Sequence, residues 1–394
     1  MYNNIVDIYN RYPVEVSHAQ GIYLYTSTGN KILDFSSGIS VVSLGHNNQE
    51  LNSALIQQTN KIWYSSNVVH NSIQNRVADL LTKHTFADNV FFCSSGLEAN
   101  EAAIKFARKY GMQNDQRYEI ISFDNSFHGR SMACISASGL GHVKKDYPPL
   151  LPGFKVIPVN DFELLSRTIT NNTVAIMVEA IQSEGGINVI ETEFLYRIYQ
   201  ICQEKDILLI LDEVQTGFCR TGTLFIYEQF NIIPDIITIA KAMGNGFPVG
   251  GCLVNKKIAN LLSPGCHGST YGGNQLAMSV TAKVLEIMLR DSFLINVNNM
   301  SKILHKRLLS IRNHHPKFIK NIKGLGMLLG IEFTDTVKIT SLLDILLLEC
   351  NLLLTKTAHP NTIRITPSLI INASHIDEFA ISLEKGINIY QNRM

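Results

Sequence analysis

Two charged side chains stand at the ends of apolar runs. The stretch ILLILDEVQTGFCR, residues 207–220, opens with branched aliphatic residues and then stops at Asp212 and Glu213. The stretch IAKAMGNGFPVGG, residues 239–251, places Lys241 directly after another such run. Asp commonly starts a turn after a strand, and most lysines extend to solvent, so neither residue alone indicates a function. The small residues that follow Lys241 leave its amine room, however, and a desolvated lysine has a lowered pKa and can attack a carbonyl carbon.

A third segment, SSGLEANEAAIKFARKY at residues 94–110, has the pattern of a helix start. Ser95 and Glu98 match a capping box. Apolar residues recur on one face of the predicted helix: Ala99, Ala103, Phe106 and Tyr110. Gly96 allows close approach to the backbone, and the free N–H groups of Gly96 and Leu97 at the positive helix end suit a phosphate. The alternative is a well-capped helix that binds nothing.

A carboxylate, a lysine and a phosphate site together are what pyridoxal 5′-phosphate requires of a protein. In this interpretation Lys241 is the Schiff-base lysine and the start of the predicted helix takes the phosphate. Asp212 pairs with the protonated pyridine nitrogen, which keeps the ring an electron sink. This explains why a buried strand ends at an acid.

Short apolar strands alternate with helical patterns around these features, which indicates a mainly parallel sheet covered by helices. In such α/β sheets ligands lie at the carboxyl ends of the strands, where Asp212 and Lys241 are both expected. The predicted strands are NVFFC (89–93), EIISF (119–123), FKVIPV (154–159), VAIMVEA (174–180), ILLILD (207–212), DIITIA (235–240) and GCLV (251–254).

The remainder of the chain has a different pattern. A helical stretch from Gln275 to about Arg312 precedes a strand at 326–333, another helix and a strand at 361–366. This is an α+β pattern, and the 394-residue chain exceeds the size at which one hydrophobic core stops growing. We predict two domains, a large cofactor-binding domain over 46–284 and a small domain formed by 1–45 and 285–394 together.

Composition narrows the classes of function. With 45% hydrophobic residues, 17% charged residues and a net charge of +1, the chain has no field that would attract nucleic acid or anionic membranes. The seven cysteines are scattered and form no C-x-x-C, so no disulfide framework and no metal site is predicted. Met1 to Tyr12 has neither a secretory nor a transit pattern, and we expect the cytoplasm.

The motifs resemble those of the class III, ornithine-type aminotransferases. They occur in family order from about Tyr12 to about Glu384: SGLEANEAAIKFAR, FDNSFHGR, DEVQTGFCRTG, PDIITIAKAMGNGFPVG and HGSTYGG. The resemblance implies pyridoxal-phosphate transferase fold type I, an α/β fold whose large domain has a mainly parallel seven-stranded sheet, with a smaller α+β domain. A nicotinamide-dependent dehydrogenase is the alternative of a different class, but GLGMLLG (324–330) is not G-x-G-x-x-G and precedes a strand.

The resemblance also implies the cofactor-binding residues. Lys241 and Asp212 are the catalytic pair, and Gln215 bonds the phenolic oxygen of the cofactor with Glu179 nearby. Phe127 stacks on the ring, an aromatic contact that also excludes water. The phosphate is bound by the helix start and by a residue of the other subunit: Ser95, Gly96, Leu97 and Thr270. A shared site of this kind implies a homodimer.

The same resemblance implies how substrates bind. Arg130 of FHGR binds the α-carboxylate of an ornithine-type donor, and Arg364 of NTIRITPS binds that of 2-oxoglutarate, because a planar guanidinium holds a carboxylate bidentately. Glu184 pairs with Arg364 while the first substrate is bound. Ser269 is the fourth residue of the predicted substrate-binding group. An ordinary strand-edge arginine is the alternative for Arg364.

The implied reaction is a step of arginine biosynthesis. It converts N2-acetyl-L-ornithine and 2-oxoglutarate to N-acetyl-L-glutamate 5-semialdehyde and L-glutamate, with N-succinyl-L,L-diaminopimelate of lysine biosynthesis as a possible further donor. Succinylornithine, ornithine and 4-aminobutyrate are the alternatives, since one sequence does not identify the residues at the mouth of the pocket.

Four residues depart from the usual family motifs. Ala180 replaces proline and Ser183 replaces glycine in EAIQSEGG, Asn245 replaces glycine in the lysine loop, and Gln275 replaces proline in GGNQLA. Each alters a loop or the stiffness of the backbone, while the catalytic side chains are all present. We therefore expect activity to be kept and leave open the effect of these residues on rate and substrate preference.

Overall fold

The centre of the molecule is a seven-stranded sheet in the order β4-β12-β11-β10-β7-β5-β6. A computed structural model describes residues 4–394. Its strands are β1 Val16–Gln20, β2 Tyr23–Thr26, β3 Lys31–Asp34, β4 Asn89–Cys93, β5 Glu119–Phe123, β6 Phe154–Ile157, β7 Thr173–Val178, β8 Ile181–Gln182, β9 Asn188–Val189, β10 Leu208–Asp212, β11 Ile236–Ile239, β12 Gly250–Val254, β13 Ile319–Leu325, β14 Leu328–Phe333, β15 Leu352–Leu353, β16 Thr355–Lys356 and β17 Thr362–Ile365. Within the central sheet only β12 runs antiparallel to its neighbours. The predicted mainly parallel sheet is confirmed.

The apolar runs form central strands because both of their faces are covered. Every residue of β7, β10 and β11 is buried. Successive residues of β10 belong alternately to two separate hydrophobic clusters, with Leu209 and Leu211 in one and Leu208 and Ile210 in the other. Strand side chains alternate between the two faces of the sheet. Because both faces of β10 have apolar contacts, every position of this strand before its last residue is apolar.

Helices cover both faces of the sheet and build the outer parts of the molecule. They are Gln49–Thr59, Ser72–Lys83, Gly96–Gln113, Met132–Ala137, Phe162–Thr168, Thr192–Lys205, Lys256–Ala259, Gln275–Met288, Asp291–His314, Ile339–Cys350 and Ala373–Asn392, with 3-10 turns at Gly141–Val143, Ile226–Phe230 and Lys241–Met243. The segment Ser37–Ser40 is a left-handed turn, with φ between 42° and 65°.

The helical stretch predicted from Gln275 to about Arg312 is confirmed, and it consists of two helices that are separated at Arg290. Arg290 leaves helical geometry with φ −70° and ψ 127°. Its guanidinium binds both carboxylate oxygens of Glu50, at 3.0 and 2.6 Å. Asp291 then begins the second helix, where an acid in the first turn is favoured by the helix dipole.

Two further sheets involve the C-terminal part of the chain. One has the order β13-β14-β17-β16, and its first strand, β13, was not predicted from the sequence. The other has the order β1-β2-β3-β15, in which the parallel pairing of β3 with β15 joins the N-terminal and C-terminal parts. This pairing supports the predicted small domain, which stays a prediction, and residues 1–3 of it lie outside the described residues.

No helix of residues 4–394 is long and apolar enough to cross a bilayer.

Candidate active site

The side chains that could take part in catalysis or cofactor binding lie together at one edge of the central sheet. Parallel strands end at the same edge, and this edge carries Ser94 after β4, Glu179 after β7, Asp212 at the end of β10 and Lys241 two residues after β11. A cavity of about 390 Å³ opens there and is lined by all four residues. The strand topology thus brings together residues that are far apart in sequence.

Asp212 is fixed by three N–H donors. Its Oδ2 accepts hydrogen bonds from Asn100 Nδ2 and His128 Nδ1, both at 2.8 Å, and its Oδ1 accepts one from the Val214 amide at 3.1 Å. A carboxylate has about four acceptor positions, so one on Oδ1 is left for a further donor. The carboxylate lines the cavity, where a protonated ring nitrogen would supply that donor.

Lys241 follows β11 in a left-handed conformation with φ 47°. This backbone geometry turns the side chain into the cavity instead of continuing the strand. Burial lowers the pKa of Lys241 to about 8, against the opposing effect of the Glu184, Asp212 and Glu179 carboxylates and with the help of the Arg364 charge. The amine is therefore closer to a neutral nucleophile than an exposed lysine would be.

The helix Gly96–Gln113 begins at the cavity, as the sequence predicts. The Ser95 hydroxyl caps it by accepting a hydrogen bond from the Glu98 amide at 3.2 Å. The predicted capping box is only half formed, because the Glu98 carboxylate accepts from the Ser94 amide at 2.9 Å and not from Ser95. A Cβ on Gly96 would lie 2.8 Å from Val214, so only glycine lets the helix start sit this close.

Glu179 and Phe127 are joined at the wall of the cavity. The Phe127 amide donates to Glu179 Oε1 at 2.7 Å. Burial, together with the nearby Asp212 charge, raises the pKa of Glu179 well above its ordinary value. The Arg130 guanidinium lies 5.7 Å from the centre of the Phe127 ring, and Arg130 is exposed at the mouth of the cavity. The phenyl ring and the guanidinium thus lie close together where a substrate would enter.

Arg364 and Glu184 form an ion pair beside the cavity. Arg364 Nη1 donates to Glu184 Oε1 at 2.5 Å and to Gln215 Oε1 at 3.3 Å. Burial alone would raise the pKa of Glu184, but the charge and hydrogen bond of Arg364, with Lys241 and Arg130, bring it below its ordinary value. Because Oε1 of Gln215 is engaged with Arg364, its amide nitrogen is the part free to donate to a ligand.

Three predicted residues do not line the cavity of their own chain. Arg364 lies behind the lining residues Glu184 and Gln215, with which it pairs, and the other two are Ser269 and Thr270. The Ser269 hydroxyl donates to Glu98 Oε2 at 3.0 Å, in the first turn of the helix Gly96–Gln113. Thr270 is exposed. Their predicted roles in substrate and phosphate binding stay predictions.

The sequence did not single out Asn100 or His128, although both hold Asp212. Asn100 Nδ2 also donates to the His128 carbonyl at 2.8 Å, so the two residues form one buried unit. Nε2 of His128 is buried and has no hydrogen-bond partner in residues 4–394. The available signal was a polar residue, Asn100, next to Ala99 on the apolar face of the helix.

Comparison with known proteins places the chain in a family. A family model described as Aminotransferase class-III matches residues 7–387. The chain belongs to the class III aminotransferases. The resemblance, the fold class and the enzyme class predicted from the sequence are confirmed.

Individual relatives of this aminotransferase agree with the assignment. The acetylornithine aminotransferase of Agrobacterium fabrum is 40% identical over 376 residues, which is 95% of this chain and 93% of that one. A solved N-acetylornithine aminotransferase from Stenotrophomonas maltophilia has a TM-score of 0.85 at 33% identity and 98% coverage of both chains. A solved ornithine aminotransferase from Toxoplasma gondii, described with partial occupancy of PLP at its active site, has a TM-score of 0.93 at 27% identity and covers 98% of this chain and 93% of that one.

The predicted pyridoxal phosphate cofactor is confirmed by this family membership, and the residues present fit it. The cavity offers a free acceptor position on Asp212, an amine of lowered pKa on Lys241 and a helix start that glycine alone permits at Gly96. These three features match the ring nitrogen, the carbonyl and the phosphate of the cofactor.

Proposed function

We propose that this enzyme transfers the δ-amino group of N2-acetyl-L-ornithine to 2-oxoglutarate. The substrate assignment is supported by the relatives, since the Agrobacterium and Stenotrophomonas proteins carry the name of this activity. The observation that carries it in this chain is the closed Arg364–Glu184 pair beside Lys241. A site that serves two substrates with differently placed carboxylates needs a carboxylate-binding residue that can be covered.

When bound, pyridoxal phosphate supplies a carbonyl that captures amino groups and a ring that withdraws electrons from the carbon losing a proton. Lys241 would hold the cofactor covalently through Nζ, and the same amine would carry the proton that leaves and returns to the substrate carbon. Asp212 would pair with the ring nitrogen, and its hydrogen bonds with Asn100 and His128 hold this carboxylate in place. Gly96 and Leu97 would donate their amides to the phosphate, and Phe127 would stack on the ring; all three line the cavity.

The Arg364–Glu184 pair would act as the substrate switch. An ornithine-type donor carries its reacting amine far from its α-carboxylate, whereas in glutamate both are on one carbon. Arg364 is therefore needed only when 2-oxoglutarate or glutamate is bound, and Glu184 covers it during the donor half-reaction. Arg130 is exposed at the mouth and would bind the donor α-carboxylate.

A homodimer with shared active sites is the second part of the proposal. Exposed apolar side chains gather near Thr270: Trp63 is 66% exposed, Val68 is 88% exposed and Tyr271 is 65% exposed. The Tyr271 ring lies 5.8 Å from the exposed ring of Tyr64, so the two segments form one surface. A second copy that covers this surface would bury it and could bring Thr270 to the phosphate site of the partner.

The substrate proposal is tested by a panel of amino donors in single half-reactions, followed by the visible absorbance of the cofactor. N-acetylornithine should react fastest, ahead of succinylornithine, ornithine, 4-aminobutyrate and N-succinyl-diaminopimelate. A faster reaction with any other donor would replace the assignment.

The shared site is tested by mixing two inactive variants, Lys241→Ala and Thr270→Glu. If Thr270 serves the partner subunit, a mixed dimer has one intact site, because the intact Lys241 of one chain meets the intact Thr270 of the other. Activity should therefore return on mixing. A mixture that stays inactive although mixed dimers form would contradict a shared site.

The cellular compartment is the third part of the proposal, and it is inferred from the state of the cysteines. All seven cysteines are free thiols in this structure. This supports a reducing environment such as the cytoplasm.

A further inference from the structure

One side chain, Asn245, joins the loop 241–249 that carries the candidate Schiff-base lysine to an earlier part of the chain. Its Oδ1 accepts a hydrogen bond from the Leu44 amide at 2.6 Å, and its Nδ2 donates to the Gly45 carbonyl at 3.1 Å. In the part of the chain that the structure describes, no other hydrogen bond joins this loop to the segment 37–45. Asn245 is therefore the polar connection between the two.

The loop and the earlier segment both contribute to the wall of the candidate active site. Val41 from the earlier segment, and Phe247 with Pro248 from the loop, line the cavity of about 390 Å³. We call these three residues the apolar wall, and none of them is among the residues assigned to the cofactor or to a substrate carboxylate. The apolar wall therefore suits the uncharged part of an amino donor.

A second cavity of about 370 Å³ lies against the same wall. Phe247 and Pro248 line both cavities, and the second cavity is also lined by Val42, Gly45 and Asn245. The wall thus borders open space on two sides, where fewer atoms support it than in a close-packed interior. Its position depends all the more on the hydrogen bonds that hold its two segments together.

The backbone of the earlier segment also needs support from outside. Residues 37–40 all have positive φ, and three of the four carry a Cβ, which makes this conformation costly. Such a turn persists only where surrounding contacts hold it. On one side the Ser37 hydroxyl donates to the Thr366 carbonyl at 2.6 Å, and on the other side Asn245 holds the residues that follow Val41.

The loop itself is stiff between its lysine and the apolar wall. The Asn245 amide donates to the Ala242 carbonyl at 3.2 Å, and the Phe247 amide donates to the Gly244 carbonyl at 2.9 Å. A Cβ on Gly244 would lie 2.0 Å from the Phe247 carbonyl oxygen, so this turn is closed to any larger residue. Because the turn is this tight, fixing Asn245 also fixes Phe247.

We propose that Asn245 is a positioning residue that keeps the apolar wall in place and thereby limits the size of the amino donor that the cavity accepts. Its two hydrogen bonds hold the segment of Val41 against the loop of Phe247. Without them the wall could move into the second cavity, and the active-site cavity would admit a larger acyl group. This rests on the proposed function, in which the donor is an N-acylated ornithine.

The test removes the side chain with Asn245→Gly. Asn245 has φ 47°, which glycine adopts without strain, so the backbone of the loop is kept. Donor half-reactions are compared for N-acetylornithine and N-butyrylornithine, whose acyl groups are both uncharged and differ only in size. The ratio of kcat/KM for the larger donor to that for the smaller should rise by about fivefold, mainly through a lower KM for the larger donor.

The same variant should leave the other half of the reaction nearly unchanged. The hydrogen bonds of Asn245 involve neither Arg364 nor Glu184, so the half-reaction with 2-oxoglutarate should stay within about twofold of that of the intact enzyme. Equal losses for both donors and for 2-oxoglutarate would show a general structural role and overturn the proposal.

Asn160→Gly is the matched control. Asn160 also has a positive φ, 62°, and its Oδ1 accepts a hydrogen bond from the Glu191 amide at 3.4 Å. It lines neither of the two cavities. This variant should leave the ratio of the two donors unchanged. An unchanged ratio in Asn245→Gly, or the same rise in Asn160→Gly, would overturn the proposal.

Asn245→Asp gives a second measurement. It keeps an acceptor for the Leu44 amide and loses the donor to the Gly45 carbonyl, so its donor ratio should lie between those of the intact enzyme and Asn245→Gly. If Asn245→Gly does not fold, this variant decides, and a ratio equal to that of the intact enzyme would overturn the proposal.

Failure of the substrate assignment would appear separately. If another amine is the best donor in the panel, the N-acetylornithine assignment falls by itself. The size limit is then measured with that amine and a homologue that is longer by two methylene groups, and the same rise in the ratio is expected for Asn245→Gly.

Discussion

Removing the Glu184 carboxylate should make glutamate a better direct donor than it is for the intact enzyme. In the structure Glu184 Oε1 and Arg364 Nη1 are 2.5 Å apart. The Arg364 side chain is 1% exposed and that of Glu184 is 25% exposed, so solvent screens this pair only partly. In the proposed switch, glutamate has to displace Glu184 before its α-carboxylate can reach Arg364, and Glu184→Ala would remove that step.

The size of the effect follows from the bond that need not be broken. A hydrogen bond between charged groups contributes about 1.5–3 kcal/mol, and about 1.4 kcal/mol corresponds to tenfold in an equilibrium or rate constant. We therefore expect kcat/KM for glutamate, relative to N-acetylornithine, to rise by about ten- to a hundredfold. Gln215 Oε1 and the Lys356 carbonyl, at 3.3 and 3.5 Å, keep Arg364 hydrogen-bonded in the variant.

The assay follows each half-reaction alone, by the visible absorbance of the cofactor after rapid mixing with one substrate. Glu184→Gln serves as a control that keeps the side-chain shape and one acceptor oxygen but loses the charge, and it should fall between the intact enzyme and Glu184→Ala. Arg364→Ala should do the reverse, weakening 2-oxoglutarate while sparing the donor step. The switch is refuted if Glu184→Ala slows the donor and acceptor steps by the same factor.

Four further outcomes are expected. Lys241→Ala should bind the cofactor loosely and show no turnover, because the covalent anchor and the proton carrier are lost together, and robust transamination would remove the central assignment. The rate of cofactor uptake by the cofactor-free enzyme should rise with pH and level off above about 8. The reason is that the fold lowers the pKa of Lys241 from 10.5 to about 8, so the amine is neutral at a pH where an unfolded chain would be protonated. An uptake rate that still rises at pH 10 would contradict this. Asp212→Asn should lower kcat by roughly 10² or more without loss of phosphate binding, and near-normal kcat would make Asp212 a turn residue. Gly96→Ala should weaken cofactor affinity by about tenfold or more, since the added methyl meets Val214 at 2.8 Å, and unchanged affinity measured by equilibrium titration would exclude the phosphate role.

Some parts of the site could be predicted because the residues that indicate them are adjacent in the sequence. An apolar run with no alternation identifies a central strand, and the polar residue at its end is then a candidate for the ligand edge, as with Asp212 and Lys241. The helix start at Ser95 is equally local, since a cap and its helix are adjacent in sequence. These features needed no knowledge of which strands are neighbours.

Other parts of the site depend on contacts between residues that are distant in sequence. The periodic spacing of apolar residues does not reveal such contacts. Asn100 lies 112 positions and His128 lies 84 positions from the Asp212 that they hold. Asn245, noted only as a departure from a motif, donates to the Gly45 carbonyl and accepts from the Leu44 amide at 2.6 Å. Such hydrogen bonds are specified by the assembled fold, and a single sequence gives only the presence of a polar residue.

The helix break and the strand β13 were missed for related reasons. Arg290 is a good helix former by intrinsic propensity, so the local sequence gives no signal for the break at this residue, where its guanidinium contacts Glu50. In β13, the charged and polar residues Lys320 and Asn321 stand together at the exposed side, which hides the two-residue alternation of a strand.

The pairing of β3 with β15 also has a consequence for how the protein folds while it is being synthesised. β3 ends at Asp34 and β15 begins at Leu352. At about 5–20 residues per second, a ribosome needs roughly 15–60 s between the two, and the central sheet, which ends at Val254, has left the ribosome before the partner of β3 exists. The nascent chain can therefore assemble the part that carries Asp212 and Lys241 while the sheet beginning at β1 is still open along one edge. An unpaired edge of this kind is a ready site for pairing with other chains. Truncation before Leu352 should therefore produce aggregation instead of a smaller, soluble enzyme.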